Sequence, residues 1–156
     1  MPLISVLMTA FNREALVGEA ICSIQNQTLE DWELIILDDA STDRTVEVCE
    51  SFAAQDKRIR VLANEQNLGL GENRKRVMSL GTGKYIANHD SDDISVPERL
   101  AEQVEVLETR PEIGLVSGVV ALVSDEGHIF GYFPKSLYEG EQYPQEKKKM
   151  VPVFRC

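Results

Sequence analysis

The chain has 156 residues, and 26 acidic side chains against 16 basic ones give it a formal charge of -10. A chain of this length favours a single domain and can bury roughly 70% of the surface that its unfolded form exposes. The acidic balance opposes binding to the phosphate backbone of nucleic acids, so no nucleic-acid partner is expected.

The cysteines and the apolar runs bear on where the protein works. Cys22, Cys49 and Cys156 are odd in number and far apart, which argues against a disulfide framework or a zinc site. The N-terminus lacks the basic start of a signal peptide, and no apolar run approaches the roughly 20 residues that span a bilayer. We therefore expect a cytoplasmic protein.

Strand and helix patterns alternate along the first part of the chain. Residues 3–8 form a nearly continuous apolar run, typical of a strand buried in a parallel sheet, and an amphipathic helix follows over 14–27. Residues 32–37 predict a second strand, and Ser41 and Thr42 offer N-caps for the next helix. The predicted buried faces are Leu16, Val17, Ala20, Ile21 and Ile24 in the first helix, and Val46, Cys49, Phe52 and Ala53 in the second.

The same alternation continues after the second helix. Residues 59–62 and 85–87 have strand patterns, and a helix is predicted between them over about 71–80. Pro97 is predicted to start a further helix, capped by Ser95. The predicted inner face of that helix comprises Leu100, Val104 and Leu107.

The last third of the chain completes the predicted fold. Residues 115–123 predict one strand, and a turn at 125–127 leads into a strand over 128–133, which gives a C-terminal β-hairpin. Strands separated by helices of about ten to fifteen residues indicate an α/β fold with a mainly parallel sheet. We therefore predict one domain over 1–134 and a charged, partly irregular tail over 135–156.

Polar residues gather at the ends of three predicted strands. In an open α/β sheet, ligands bind beyond the carboxyl ends of the strands, near the point where the strand order reverses. Residues 9–12, 38–43 and 88–93 each follow such a strand end. The sequence therefore predicts that these three segments line one crevice.

Asp90, Asp92 and Asp93 form the strongest single signal. Three carboxylates within four residues repel one another by roughly 1 kcal/mol per pair in water, and a divalent cation would offset this repulsion. Oxygen ligands of this kind suit Mg²⁺ or Mn²⁺. In the alternative reading, Asp92 or Asp93 caps the turn before the helix at Pro97, and the other carboxylates are solvated.

Asp38 and Asp39 follow the second predicted strand, and Phe11 follows the first. A carboxylate at a strand end in such a sheet commonly accepts hydrogen bonds from the ribose or the base of a nucleotide. The same Asp-Asp pair, followed by Ser-Thr-Asp, also suits a turn and a helix cap. Phe11 suits either stacking on a base or packing in the core, so both readings stay open.

Glycines and cations near the third helix suggest an anion site. The segment Asn67–Gly71 precedes that helix, and Arg74 and Lys75 lie about one turn into it, an arrangement suited to a diphosphate. An ordinary loop has the same pattern. Residues 81–84 read GTGK but fail the pattern of a phosphate-binding loop on both flanks. The ring of His89 is expected to pack or to reach water instead of taking part in catalysis.

Five ordered motifs, taken together, resemble the donor-binding half of family 2 glycosyltransferases of the GT-A fold. The motifs are SVLMTAFN at 5–12, SIQNQT at 23–28, DDASTD at 38–43, NLG at 67–69, and GKYI at 83–86 followed by DSDD at 90–93 and Pro97. The resemblance covers about the first 110 residues. It implies a Rossmann-like, mainly parallel sheet flanked by helices.

In that family, these motifs bind a nucleotide diphosphate sugar and a divalent metal. The resemblance implies that Asp39 holds the base, that Thr9 and Phe11 border it, and that the acidic cluster with its DxD motif holds the ribose and a metal on the diphosphate. The implied donor-nucleotide residues are Thr9, Phe11, Asn12, Asp38, Asp39, Asn67, Gly69, Arg74, Asp90 and Asp92. The implied ligands of the metal, Mn²⁺ or Mg²⁺, are Asp93, our first choice, and Asp92.

The resemblance implies inverting transfer of a sugar from the donor to a glycan, a lipid or another acceptor. Binding to such an acceptor would place the protein at the cytoplasmic face of a membrane. The metal would stabilise charge on the leaving nucleoside diphosphate, and Arg74 would add to that effect. Residues 73–77 read NRKRV where the family often has Ala-Arg-Asn-x-Gly, so only the arginine supports the phosphate side. Because family members supply a carboxylate general base from a later acceptor-binding region, we expect this base outside the chain and assign no catalytic residue.

Other function classes use the same features. Without a general base, the domain would be a nucleotide-sugar-binding module that does not transfer. Similar carboxylates also serve metal-dependent nucleotidyl or phosphoryl transfer. A response-regulator receiver domain is disfavoured, because its acidic pair follows the first strand and the pair of this chain follows the second. An uncovered acceptor side would expose apolar surface and favour a homo-oligomer.

Overall fold

The computed structural model describes residues 1–124, 126–133 and 153–155. The first elements in chain order are β1 (Ile4–Ala10), α1 (Val17–Gln25), β2 (Trp32–Asp38), α2 (Thr45–Ala53), β3 (Ile59–Ala63), α3 (Leu70–Met78), β4 (Tyr85–Asn88) and α4 (Arg99–Thr109). They are followed by β5 (Leu115–Val116), β6 (Val120–Val123), β7 (Ile129–Phe133) and β8 (Val153–Arg155). The predicted α/β alternation is confirmed.

Six strands form the main sheet in the order β3-β2-β1-β4-β8-β5. The neighbours among β3, β2, β1 and β4 are parallel, while β8 runs antiparallel to both β4 and β5. The mainly parallel sheet is therefore confirmed. Residues 153–155, which the sequence analysis assigned to the tail, pair within this sheet, and the rest of the tail predicted over 135–156 lies outside the described residues.

The single strand predicted over 115–123 is wrong. The segment contains two strands: β5 lies in the main sheet, and β6 pairs antiparallel with β7 in a separate two-stranded sheet. Ser117 and Gly118 lie between β5 and β6, and a glycine weakens a strand because it adds backbone entropy without side-chain packing. The predicted C-terminal hairpin is confirmed in β6 and β7, although Asp125 of its turn lies outside the described residues.

The core lies on both faces of the main sheet. Apolar residues of β1 pack with α1, α2 and α4 on one face, while Leu7 and Ile35 pack with Val77 of α3 on the other. Full burial of such a side chain stabilises the fold by roughly 1.5–3 kcal/mol. Leu16 is 46% exposed, against expectation, because α1 begins only at Val17. The predicted core residues found buried are Val17, Ala20, Ile21, Ile24, Cys49, Leu100, Val104 and Leu107.

The predicted caps of α2 are wrong. The helix begins at Thr45, and the Asp43 carboxylate accepts the Thr45 N–H at 2.9 Å. Ser41 instead donates its N–H and its hydroxyl to the Asp38 carboxylate. The turn between β2 and α2 is therefore longer than the predicted caps imply, and its polar side chains stabilise it.

The predicted start of α4 is also wrong. The helix begins at Arg99, two residues after Pro97, and no side chain caps it. The Ser95 hydroxyl accepts a hydrogen bond from the Arg99 guanidinium at 2.8 Å instead of capping the helix. The first turn of α4 is thus connected to the segment that precedes it by a side-chain contact.

Gly83, the second glycine of the GTGK segment, packs so closely against β1 that a side chain has no room there. A Cβ at Gly83 would lie 2.6 Å from the backbone nitrogen of Ser5, a distance that requires the backbone to shift. Overpacking of this kind typically costs about 1–3 kcal/mol. We expect Gly83→Ala to lower the free energy of unfolding by that amount in urea denaturation. The matched variant Gly114→Ala, where a Cβ meets nothing within 4 Å, should change it by less than about 0.5 kcal/mol, and an equal effect of the two variants would contradict the packing argument.

Candidate functional site

A cleft of about 450 Å³ opens at the carboxyl edge of the parallel strands. It lies where the strand order reverses, because β2 and β3 lie on one side of β1 and β4 lies on the other. Ligands of open α/β sheets bind at such a point. The lining residues used below are Thr9, Phe11 and Arg13 after β1, Asp39 after β2, Asn67, Gly69 and Arg74 around the start of α3, and Asp90 and Asp92 after β4.

Most of the predicted site residues lie together in this cleft. Asn12, Asp38 and Asp93 do not line it. Arg13, which follows directly on the predicted segment 9–12, also lines the cleft and was not predicted to do so. The predicted residues that do line the cleft are Thr9, Phe11, Asp39, Asn67, Gly69, Arg74, Asp90 and Asp92.

Asp39 joins the end of β2 to the loop before α3. It is only 3% exposed, and its Oδ1 accepts hydrogen bonds from Asn64 Nδ2 at 2.7 Å and from the Leu68 N–H at 2.9 Å. Its Oδ2 accepts the Gly69 N–H at 2.9 Å. These donors compensate for the burial of the carboxylate. Because each carboxylate oxygen has two lone pairs, Oδ2 keeps capacity for a further donor from the cleft.

Two predicted residues support the rim of the cleft from outside it. Asp38 is fully buried, and both of its carboxylate oxygens are bound to Ser41. Asn12 has a φ of 51°, and its Oδ1 accepts the Thr42 N–H at 2.9 Å, which joins the β1–α1 loop to the β2–α2 loop. The capping and turn chemistry considered for the Asp-Asp pair therefore applies to Asp38, while Asp39 lines the cleft.

Phe11 lies on the rim with an exposed side chain. Its relative exposure is 42%, and it lines the cleft at the end of β1. The reading of Phe11 as a core residue is therefore wrong, because a core side chain would be nearly covered. An exposed ring on a polar rim is suited to stacking on a planar ligand group.

The acidic loop after β4, residues 90–94, forms two ion pairs across the cleft. Asp90 Oδ1 lies 2.6 Å from Arg74 Nη2, and Asp92 Oδ2 lies 3.4 Å from Arg13 Nε. The two carboxylates are 48% and 44% exposed. Exposed ion pairs contribute about 0–1 kcal/mol each, so a charged ligand in the cleft can displace them. Both signs of charge therefore face the same cavity.

The donor set of the cleft fits a cation that is completed by a ligand. In the described part of the chain, no three His, Cys, Asp or Glu side chains converge on a complete metal site. Asp90 and Asp92 nevertheless offer carboxylate oxygens to the cleft. Mg²⁺ is usually held by one or two carboxylates together with substrate phosphates. The residues present therefore fit such an ion.

His89 lies behind the acidic loop and outside the cleft lining. It is 1% exposed, and its Nε2 lies 3.3 Å from the Ser23 hydroxyl. The prediction that its ring packs is confirmed.

Among the described residues, no helix is long and apolar enough to cross a membrane.

These features define an α/β ligand-binding domain whose cleft combines an exposed aromatic ring, a buried carboxylate and an acidic loop faced by arginines. The family model described as Glycosyl transferase family 2 matches residues 5–153, so the chain belongs to this family. The resemblance seen in the ordered motifs is thereby confirmed.

Two curated relatives illustrate the similarity. An uncharacterised glycosyltransferase of Methanocaldococcus jannaschii is 36% identical over 140 residues, which cover 88% of this chain and 48% of that protein. The Escherichia coli protein WfgD, named as a UDP-Glc:α-D-GlcNAc-diphosphoundecaprenol β-1,3-glucosyltransferase, is 34% identical over 105 residues, which cover 67% of this chain and 41% of that protein. The chain spans less than half the length of these two relatives.

Solved structures share the fold at lower sequence identity. S. aureus TarS 1-349 in complex with UDP-GlcNAc has a TM-score of 0.68 and 23% identity, covering 82% of this chain and 37% of that chain. The mannosyltransferase PcManGT of Pyrobaculum calidifontis in complex with GDP-Man and Mn²⁺ has a TM-score of 0.69 and 21% identity, covering 79% and 36%. These likenesses show the GT-A fold.

Proposed function

We propose that this domain binds a nucleoside diphosphate sugar together with a divalent metal and serves inverting transfer of the sugar to an acceptor. The observation that carries the proposal is one cleft in which Asp39, Phe11 and the ion-paired acidic loop meet. Fold neighbours solved in complex with UDP-GlcNAc, and with GDP-Man and Mn²⁺, support the same class of ligand. Family membership favours sugar transfer over the nucleotidyl transfer that similar carboxylates also serve.

The base of the donor binds at the end of β2. Asp39 Oδ2 accepts an N–H of the base, while Phe11 stacks on its face and Thr9 borders it. A buried carboxylate is a strong acceptor because little water competes for it. The imide N–H of uracil and the N1–H of guanine both meet this requirement, so the contact selects for a base that presents an N–H.

The diphosphate binds over the acidic loop. Asp92, with Asp90 beside it, would hold the ion, because these two carboxylates line the cleft. Asp93, the first choice of the sequence analysis, does not line it and stays a prediction as a ligand. When bound, the ion supplies Lewis acidity that stabilises charge on the leaving nucleoside diphosphate. Arg13 and Arg74 leave their carboxylate partners and donate to phosphate oxygens.

Transfer needs a nucleophile on the far side of the sugar. An acceptor hydroxyl forms a bond to the anomeric carbon as the bond to the diphosphate breaks, and a general base takes the hydroxyl proton. We expect this base from an acceptor-binding region outside residues 1–156, as the resemblance implies. A lipid-linked or free glycan is the proposed acceptor class, since the named relative WfgD uses a diphosphoundecaprenol-linked one. A lipid-linked acceptor would bring the protein to the cytoplasmic face of a membrane.

Calorimetric titration tests the proposal. UDP and GDP are titrated into the protein with Mn²⁺ and, separately, with EDTA. We expect one nucleotide to bind at least about tenfold more tightly with the metal, because a divalent cation would offset the repulsion between the carboxylates of the acidic loop and the phosphates. Equal binding in EDTA would refute the metal role, and no binding of any nucleotide would refute the donor site. Hydrolysis of the matching sugar nucleotide then separates a transferase from a module that only binds.

A further inference from the structure

Arg99 is a fully buried arginine at the first residue of α4, beneath the acidic loop. Burial lowers the pKa of its guanidinium to about 10, and the negative charge of Asp93 acts in the opposite direction. The side chain therefore stays charged at neutral pH. A buried charge costs several kcal/mol unless it is well paired, so its contacts have to compensate for this penalty.

The guanidinium of Arg99 contacts both ends of the acidic loop. Its Nη2 donates to the carbonyl oxygen of Asn88, the last residue of β4, at 2.7 Å. Its Nη1 donates to the Ser95 hydroxyl, which follows the loop, at 2.8 Å. Its Nε lies 3.3 Å from Gln103 Oε1 within α4. One rigid planar group therefore joins the point where the chain leaves the sheet to the point where it enters α4.

Ser23 of α1 and Gln27, two residues after the end of α1, secure the same two points. Ser23 Oγ accepts the Ser95 N–H at 3.0 Å and lies 3.3 Å from His89 Nε2. Gln27 Nε2 donates to the carbonyl oxygen of Val96 at 2.7 Å. The ends of the loop are therefore fixed by buried contacts, while Asp90 and Asp92 between them remain about half exposed.

We infer that Arg99 is a positioning residue for the donor site, which fixes the ends of the acidic loop so that Asp90 and Asp92 face the diphosphate and its metal. The inference rests on the proposed function. Arg99 does not touch the donor itself, because it is fully buried and does not line the cleft. The two contacts diverge from one planar fork, a geometry that the single ammonium of lysine does not reproduce.

The test compares binding that uses the loop with binding that does not. The proteins are wild type, Arg99→Lys and, as a matched control, Arg110→Lys, an exposed arginine at the end of α4. For each, calorimetry gives the Kd of the nucleoside diphosphate with Mn²⁺, and an NMR titration gives the Kd of the corresponding nucleoside without metal. Electron paramagnetic resonance of Mn²⁺ reports the bound ion directly, and circular dichroism verifies folding.

We expect Arg99→Lys to weaken the metal-dependent affinity at least about tenfold and to leave the nucleoside affinity within about twofold, while Arg110→Lys changes neither. Equal losses of both affinities, or an unchanged metal-dependent affinity, would overturn the inference. If Arg99→Lys does not fold, the same measurements are made on Ser95→Ala, which removes one of the two contacts of the Arg99 guanidinium. A loss of about threefold or more that is confined to the metal-dependent affinity supports the positioning role. The absence of such a loss refutes it. A wild type without metal-dependent binding refutes the proposed function and this inference together, whereas a normal wild type with normal variants refutes the inference alone.

Discussion

Asp92→Asn is expected to abolish most of the dependence of nucleotide binding on Mn²⁺, with a loss of at least about tenfold in affinity, or about 1.4 kcal/mol. The amide has the same shape as the carboxylate but lacks its charge, so it is a poor ligand for a hard cation. Loss of the exposed pair with Arg13 should cost less than about 1 kcal/mol of stability. Calorimetric titration of UDP or GDP, with Mn²⁺ and with EDTA, measures the effect.

Two further variants make this result specific. Asp31→Asn removes an exposed carboxylate outside the cleft and should leave the metal dependence unchanged. Asp93→Asn compares the sequence-based choice of ligand with the one that the geometry favours. A larger loss of metal dependence in Asp93→Asn than in Asp92→Asn would show that Asp93 is the main ligand. If neither variant alters the metal dependence, the acidic loop is not the metal site.

The location of the cleft could be predicted because the relevant signals are local. Apolar runs followed at once by polar residues mark the carboxyl ends of the strands, and the parallel sheet brings those ends to one edge. Thr9, Phe11 and Asp90 lie in the cleft for that reason alone. No knowledge of distant contacts was needed for these residues.

The roles of adjacent residues depend on distant segments and could not be predicted from the residue types alone; only the family resemblance distinguished Asp39 from Asp38. Asp38 and Asp39 are adjacent residues of the same type. Only the Asp39 carboxylate accepts hydrogen bonds from the backbone N–H groups of Leu68 and Gly69, which lie in the loop before α3. Arg13 likewise pairs with Asp92, which comes from a segment about 80 residues later in the chain. A pattern of residue types along the chain does not contain such pairings, because the tertiary fold creates them.

The start of α4 shows a different kind of error. Pro97 and Ser95 match the residue preferences of a helix N-terminus, yet the helix begins at Arg99. The Ser95 hydroxyl instead meets the buried guanidinium of Arg99. The helix-capping preference of Ser95 was therefore overridden because the buried Arg99 guanidinium needed hydrogen-bond partners. This occurs directly beside the acidic loop.

Asp39→Asn is expected to weaken nucleotide binding with and without metal, by roughly 1–3 kcal/mol in each case. The asparagine amide group would replace Oδ2 and turn a donor toward both the Gly69 N–H and the base N–H, so one acceptor is lost to each. The same change should lower the free energy of unfolding by about 0.5–1.5 kcal/mol, because the Gly69 amide loses one of its two acceptors and keeps only Asn67 Oδ1, at 3.0 Å. Calorimetry on the folded protein and urea denaturation measure the two effects separately.

Asp38→Asn is the matched control for this prediction. Asp38 is equally buried and loses a comparable contact to Ser41, so its stability should also fall. Its nucleotide affinity should stay at the wild-type value, because it does not line the cleft. If Asp39→Asn lowers stability but binds the nucleotide like the wild type, Asp39 only supports the loop before α3. The loss from Asp39→Asn should also persist in EDTA, unlike that from Asp92→Asn, because the base contact and the metal contact involve different ends of the same donor.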